Sequence, residues 1–390
     1  MTGVIRKALY ALLSETLDFT PVFRWVCFTT PRYLFTILFD FLIVCLFIKV
    51  LPHFLKYFTY HGVQFRVFAF SLQNVEAIWS KYDWTKITTL VMVGYVNLDL
   101  MCLAHKNGAR VVTIANIPKE NLPNITARAE WIDNQLKVVQ DNFLDGINFD
   151  FEDQILLNET TYRDSYTMLV SEAYSVFKEA NEFYQVTVDV AWASSGIDLR
   201  YYDYIGLASV SDFLFIMAYD EQSQIRGPCV AGPNSPLPYA VLGIKSYLQL
   251  GIPSNKLVLG VPWYGYLYPC LNLTSNETCY IDHVPFRGVN CSDAAGREID
   301  YSSMKNYLQY SKGVRWNPIA QTPYFSFIVD NIPHQVQYDT PKSLQIKYGL
   351  VEQYDLRGLG MWNTDAVDYI SNSTEAIKER TEMWGAIPKL

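Results

Sequence analysis

The sequence predicts an α/β chain built as a (β/α)8 TIM barrel, with a small inserted subdomain between strand 7 and helix 7 and a membrane segment ahead of the barrel. Three observations lead there. Eight short runs rich in β-branched and aromatic residues recur within residues 61–390, and amphipathic helical patterns fill the gaps between them. One gap, residues 266–338, holds 73 residues and is too long for a single crossover. Crossovers that hold a helix imply parallel pairing, and closing eight such strands into a barrel leaves no unpaired edge. An open doubly wound sheet is the competing arrangement.

The N-terminal part, residues 1–60, reads as a tail and a signal anchor. From Tyr33 to Ile48 the chain is YLFTILFDFLIVCLFI, interrupted by Asp40 and closed by Lys49. Spanning hydrocarbon takes about 20 residues, so the predicted span runs over 33–51 with Lys49 snorkelling. Asp40 near its middle costs about 2.5–3.5 kcal/mol on insertion. No small-x-small cleavage site follows, which favours an uncleaved anchor over a signal peptide. Arg24 and Arg32 before the run and Lys49 and Lys56 after it leave the orientation undecided by charge. A buried core helix is the alternative.

The strands follow in order: Phe65–Phe70, Ile87–Val93, Arg110–Ala115, Gly146–Phe151, Gln185–Val190, Asp212–Met217, Lys256–Val261 and Gly358–Trp362. Helical stripes lie between them, one with Ala127, Trp131, Ile132, Leu136, Val139 and Phe143, another with Tyr166, Leu169, Val170, Ala173 and Phe177. The length beyond residue 60 suits one barrel carrying an insertion.

Asp+Glu 39 against Lys+Arg 31 leaves a net charge of −8, which argues against a nucleic-acid partner. Cys229, Cys270, Cys279 and Cys291 cluster in the C-terminal half and allow three disulfide pairings. Six Asn-x-Ser/Thr sequons start at Asn124, Asn158, Asn272, Asn276, Asn290 and Asn372. Together they point to a lumenal or extracellular compartment. The dispersed histidines, with no Cys-x-x-Cys and no His-Glu-x-x-His, predict no metal and no cofactor.

Residues 145–152 carry the chemistry. They read Asp-Gly-Ile-Asn-Phe-Asp-Phe-Glu, and strand alternation sets Asn148, Asp150 and Glu152 on one face and Ile147, Phe149 and Phe151 on the other. The apolar face must meet the helices. An amide and two carboxylates then face the barrel interior, with Glu152 nearest the C-terminal mouth where barrel active sites lie. Carboxylates this close cannot both ionise freely, so at least one is raised into the range of a proton donor near neutral pH.

Asp145–Glu152 resembles the Asp-x-x-Asp-x-Asp-x-Glu signature of glycoside hydrolase family 18, the chitinase family. Met217-Ala-Tyr-Asp220, Gly260-Val-Pro-Trp-Tyr-Gly265 and Gly358-Leu-Gly-Met-Trp362 are similar to that family's later strands, in order. Further segments resemble the family's chitobiase branch: residues 81–88, 100–105 and 219–225, Pro285-Phe-Arg-Gly288, and 291–297. The resemblance runs from about Phe65 to Trp384.

The resemblance implies hydrolysis of β-1,4-linked N-acetylglucosamine, from chitobiose cores of asparagine-linked glycans or chitin oligosaccharides, by a retaining, substrate-assisted route. It implies Glu152 as acid and base, Asp150 as holder of the substrate acetamide and Tyr219 as donor to the acetamide oxygen. Trp362 becomes the floor under the sugar, and Asn148, Met217, Asp220, Trp192 and Tyr264 complete the pocket. Asn148 departs from the general pattern, which has Asp there, and matches the chitobiase branch. A lysosome or other secretory lumen is expected, with membrane anchoring, or secretion as the alternative. A non-catalytic chitinase-like binding protein is the competing function, and the presence of Glu152 discriminates against it.

Overall fold

The structure is a computed structural model that describes residues 65–388. Eight parallel strands close into a barrel. They are β1 (Arg66–Ser71), β2 (Thr89–Met92), β3 (Arg110–Ala115), β4 (Gly146–Phe149), β5 (Gln185–Val190), β6 (Phe213–Met217), β7 (Leu257–Pro262) and a closing strand, Gly358–Trp362, which pairs with both β7 and β1. Each predicted run supplies one of these strands.

Helices cover the outside because each strand sends its alternate apolar side chains outward. Thr160–Ala180 buries Tyr166, Leu169, Val170, Ala173 and Phe177, the stripe read from the sequence. Ile125–Asp141 begins at Asn124, whose side chain accepts from the backbone N–H groups of Thr126 and Ala127. Its stripe differs from the expected one. The helix stops at Asp141, so Phe143 lies past it, exposed and at φ 55°. Arg128 goes inside instead, donating to Glu172 at 2.8 Å and to the Leu122 carbonyl at 2.7 Å. A buried guanidinium is tolerated there because its donors are answered.

Inside the barrel, Phe68, Phe70, Val91, Val112, Phe213, Phe215 and Val258 form a plug below the mouth. Phe68 and Phe213 meet edge-on with ring centroids 5.3 Å apart, and Phe70 lies 5.0 Å from Phe215. This plug requires glycine at a paired position on two neighbouring strands. A Cβ on Gly260 would lie 2.2 Å from Phe215 Cζ, and one on Gly360 would lie 2.2 Å from the Phe68 carbonyl oxygen.

Between β7 and the helix Pro341–Gln353 the chain builds a five-stranded antiparallel sheet. Its strand β8 (Tyr264–Pro269) pairs with Arg297–Asp300 on one side and Ile332–Gln337 on the other, and Thr322–Val329 and Arg315–Asn317 extend it. Leu267, Ile299, Met304, Phe325, Phe327 and Val336 give it a core of its own. Between described residues, disulfides join Cys229 to Cys291 and Cys270 to Cys279. The first ties the loop after β6 to this sheet's approach.

Among the described residues no helix is long and apolar enough to cross a membrane. The expected membrane segment at 33–51, within the 1–60 tail, lies outside the described residues.

Replacing Gly260 by Ala should destabilise the barrel by about 1–3 kcal/mol through forced displacement of the Phe215 ring. Denaturant unfolding of the variant measures this, and an unchanged midpoint would show that the plug has slack.

Candidate active site

β4 is shorter than the sequence suggests. Its ladder ends at Phe149, so Asp150 to Glu152 run on past the paired strand into the mouth. The inward positions still follow strand alternation. Asn148 is fully buried, Asp150 is half-buried, and the Glu152 side chain is 49% exposed. Phe149 and Phe151 are buried on the other face, Phe151 with its ring 4.7 Å from that of Tyr166.

Arg200, from the segment after β5, donates from Nη2 to Glu152 Oε2. It is itself buried, with Asp198 Oδ2 3.8 Å away. Arg287 reaches over from beyond the Cys270–Cys279 disulfide, donating to the Glu152 carbonyl at 3.0 Å and the Asp198 carbonyl at 2.8 Å. Ser223 Oγ donates to Asp198 Oδ1 at 2.8 Å. Two arginines from distant parts of the chain thus fix the position of residue 152.

The neighbouring acids are held differently. Burial first, then the Glu152 charge, raises Asp150 to about 7, with Arg200 acting against the shift. Asp220, at φ 51°, accepts from the hydroxyls of Tyr264 and Tyr266, the latter at 2.9 Å. Burial raises it to about 6 despite those two bonds. Burial likewise pushes the Tyr219 hydroxyl well above its ordinary value, so it stays a donor at any working pH.

The structure therefore brings together Asn148, Asp150, Glu152, Tyr219, Asp220 and Tyr264, six of the candidates. Tyr219 lies with its ring 6.1 Å from that of Tyr264, and Met217, Tyr219 and Trp362 share one apolar cluster above the plug. Trp362 ends the closing strand with its ring 5.2 Å from Phe70. Trp192 stands apart. It stacks flat on Tyr239 at 5.3 Å and packs with Ala191, Ala193 and Ile197.

Sequence reasoning missed three residues. Asp189 on β5 is buried and accepts from Asn148 Nδ2 at 2.7 Å. Its signal was present in the alternation of Gln185, Thr187 and Asp189 with Val186, Val188 and Val190. Arg200 and Arg287 lie in irregular segments, where periodicity carries no information.

The model of the glycosyl hydrolases family 18 matches residues 119–366, which includes the whole carboxylate cluster. Di-N-acetylchitobiase of Rattus norvegicus is 42% identical over 333 residues, covering 85% of this chain and 90% of that protein. The chain belongs to family 18. It is a glycosidase. Probable di-N-acetylchitobiase 2 of Dictyostelium discoideum is 45% identical over 314 residues, covering 77% of this chain and 80% of its own length. Among solved structures, the class V chitinase of Nicotiana tobaccum superposes with a TM-score of 0.64 at 17% identity, covering 82% of this chain and 99% of that one, and so shares the fold.

The raised carboxylates of this family-18 site bear on stability. Asp150, Asp220, Glu298 at about 7 and Asp293 at about 8 all owe their shifts first to burial. Between about pH 4 and these values the unfolded chain has released protons that the folded chain keeps, so folding stability falls as pH rises through that window. Melting temperatures recorded from pH 5 to 8 should decline, and Asp150→Asn should flatten the decline. A melting temperature that climbs with pH would refute this.

Proposed function

We propose that this glycosidase hydrolyses the β-1,4 bond between two N-acetylglucosamine units, in chitobiose cores or chitin oligosaccharides, with retention and with the substrate's own acetamide as nucleophile. The observation that carries the reading is the placement of Glu152 at the mouth, half in water, near the half-buried Asp150, whose carboxyl burial and the Glu152 charge raise to about 7. Relatives that match most of the chain's length bear the name di-N-acetylchitobiase.

Protonated Glu152 gives its proton to the glycosidic oxygen as the bond to C1 breaks. The acetamide carbonyl oxygen attacks C1 and closes an oxazolinium ring, which carries the positive charge. Asp150 accepts the acetamide N–H and faces that charge, while the Tyr219 hydroxyl donates to the acetamide oxygen and sets its line of attack. Glu152, now a carboxylate, takes a proton from water as the water opens the ring. Trp362 supplies an apolar surface under the sugar, and Asp220, held by Tyr264 and Tyr266, closes the side of the pocket. Asn148 and Met217 pack beneath. Trp192 has no part in this account.

Glu152→Gln should lower turnover of a chitobiose oligosaccharide by about 10²–10⁴-fold while substrate binding persists. Turnover is followed by release of reducing sugar and binding by calorimetry, and proton NMR of the first product should show the β anomer. Full activity in the variant would remove Glu152 from the reaction.

The same reading assigns the protein to a lysosome or another lumen of the secretory pathway. Two disulfides and six sequon asparagines, all exposed, support it. Anchoring through 33–51 rests on the sequence alone. Protein made in a secretory eukaryotic host should gain mobility on a gel after peptide-N-glycosidase treatment, and an unchanged band would count against this compartment.

A further inference from the structure

Thr187 and Asp189 project from β5 into the barrel and meet Asn148 of β4. Thr187 Oγ1 donates to Asn148 Oδ1 at 2.6 Å, and Asn148 Nδ2 donates to Asp189 Oδ2 at 2.7 Å. The amide is thereby fixed in orientation, since its oxygen accepts and its nitrogen donates. Asp189 Oδ1 remains buried with no partner. The β4–β5 register pairs Asn148 with Thr187 and Phe149 with Val188, where the ladder ends, and Asp150 and Asp189 are the next residues along the two strands. The Asp150 charge acts on the buried Asp189 carboxyl, and two interacting carboxyls of which one is fully buried do not both ionise freely.

The charged and titratable groups around the pair come from every adjoining element. Glu152 follows β4, Tyr166 comes from the helix Thr160–Ala180, and Tyr219 follows β6. Arg200 comes from the segment after β5, and Glu152 engages it. None of these gives Asp189 Oδ1 a partner. Burial, followed by repulsion from Asp150, holds the Asp189 carboxyl well above the usual range.

We propose that Asp189 is a positioning residue that works as a neutral carboxylic acid, its O–H donating to the Asp150 carboxylate and holding that group ionised and aimed at the substrate acetamide. This rests on the role given to Asp150 above. The pair carries one proton between two acids, and a neutral acid in an apolar site is a strong donor to an anion. Asn148 fixes Asp189 from the opposite oxygen, which leaves Oδ1 as the edge that can carry the hydrogen.

The test compares Asp189→Ala with Asp189→Asn on a chitobiose oligosaccharide across pH. Removing the donor raises the pKa of Asp150, so the Ala variant should move the acid limb of kcat up by about one pH unit with little change in KM. The Asn variant keeps a neutral donor and an acceptor for Asn148, and should recover about tenfold of the kcat that Ala loses at pH 5. In infrared difference spectra at neutral pH, the wild type should show a protonated-carboxyl band that Asp189→Asn lacks. Equal loss in both variants, an acid limb that stays in place in Ala, or absence of the band would each overturn the proposal. Where the Ala variant fails to fold, the band decides. Glu152→Gln separates the two readings: full activity there refutes the proposed reaction, whereas the infrared band tests the proton on Asp189 whatever the reaction is.

Discussion

The cost of removing carboxylates from water governs the mouth of this barrel. Asp150, Asp189 and Asp220 all project into it, and burial is the first cause of the upward shift of each. The fold answers with neutral donors: Asn148 for Asp189, and Tyr264 and Tyr266 for Asp220. Hydrogen bonds from neutral groups reduce the penalty without cancelling the charge. Arg200 is turned to Glu152, and Arg287 to the backbone carbonyls of Glu152 and Asp198. Among the described residues, Asp150, Asp189 and Asp220 are left without an ion-pair partner. Under the proposed reaction the missing charge arrives with the oxazolinium ion, so the interaction that would best stabilise these acids exists only while the substrate is reacting.

Everything around the cluster serves to hold it in one place. The aromatic plug closes the barrel beneath it, and it fits because Gly260 and Gly360 leave room for Phe68 and Phe215. β4 and β5 are joined through the Thr187–Asn148–Asp189 chain, which couples the register of two strands to the position of two acids. From the far side, Arg287 grips the backbone of Glu152, and the Cys229–Cys291 disulfide limits how far its segment can drift.

The sequence made the barrel legible because parallel strands buried on both faces leave short apolar runs at regular intervals, and all eight were visible. It made the carboxylates legible because alternation across Gly146–Glu152 separates the phenylalanines from the acids. The same alternation marked Asp189 just as clearly, yet a single acid between valines carries no spacing that distinguishes it from a solvent-facing residue until the barrel is closed. Arg200 and Arg287 could not be found at all by such means, since they act from irregular segments and meet Glu152 across 48 and 135 residues of sequence. Trp192 is the candidate that the structure sets apart from the cluster. An aromatic residue just after a barrel strand suits a sugar platform, but Trp192 follows Val190 by two residues and, like that outward-facing valine, points away from the barrel interior, stacking on Tyr239.

Two acids two residues apart end up in unlike surroundings, and under the proposed reaction this separation divides the labour between them. Asp150 is half-buried just past the end of β4, and burial with the Glu152 charge raises its carboxyl. Glu152 is half exposed and answers to a guanidinium. A group that must gain and lose a proton in every cycle needs contact with water, and one that must face a transient cation needs to be shielded from it. The same segment offers both surroundings because β4 stops pairing at Phe149, so that Asp150 sits just past the ladder, half-buried, and Glu152, one alternation later, stands exposed at the mouth.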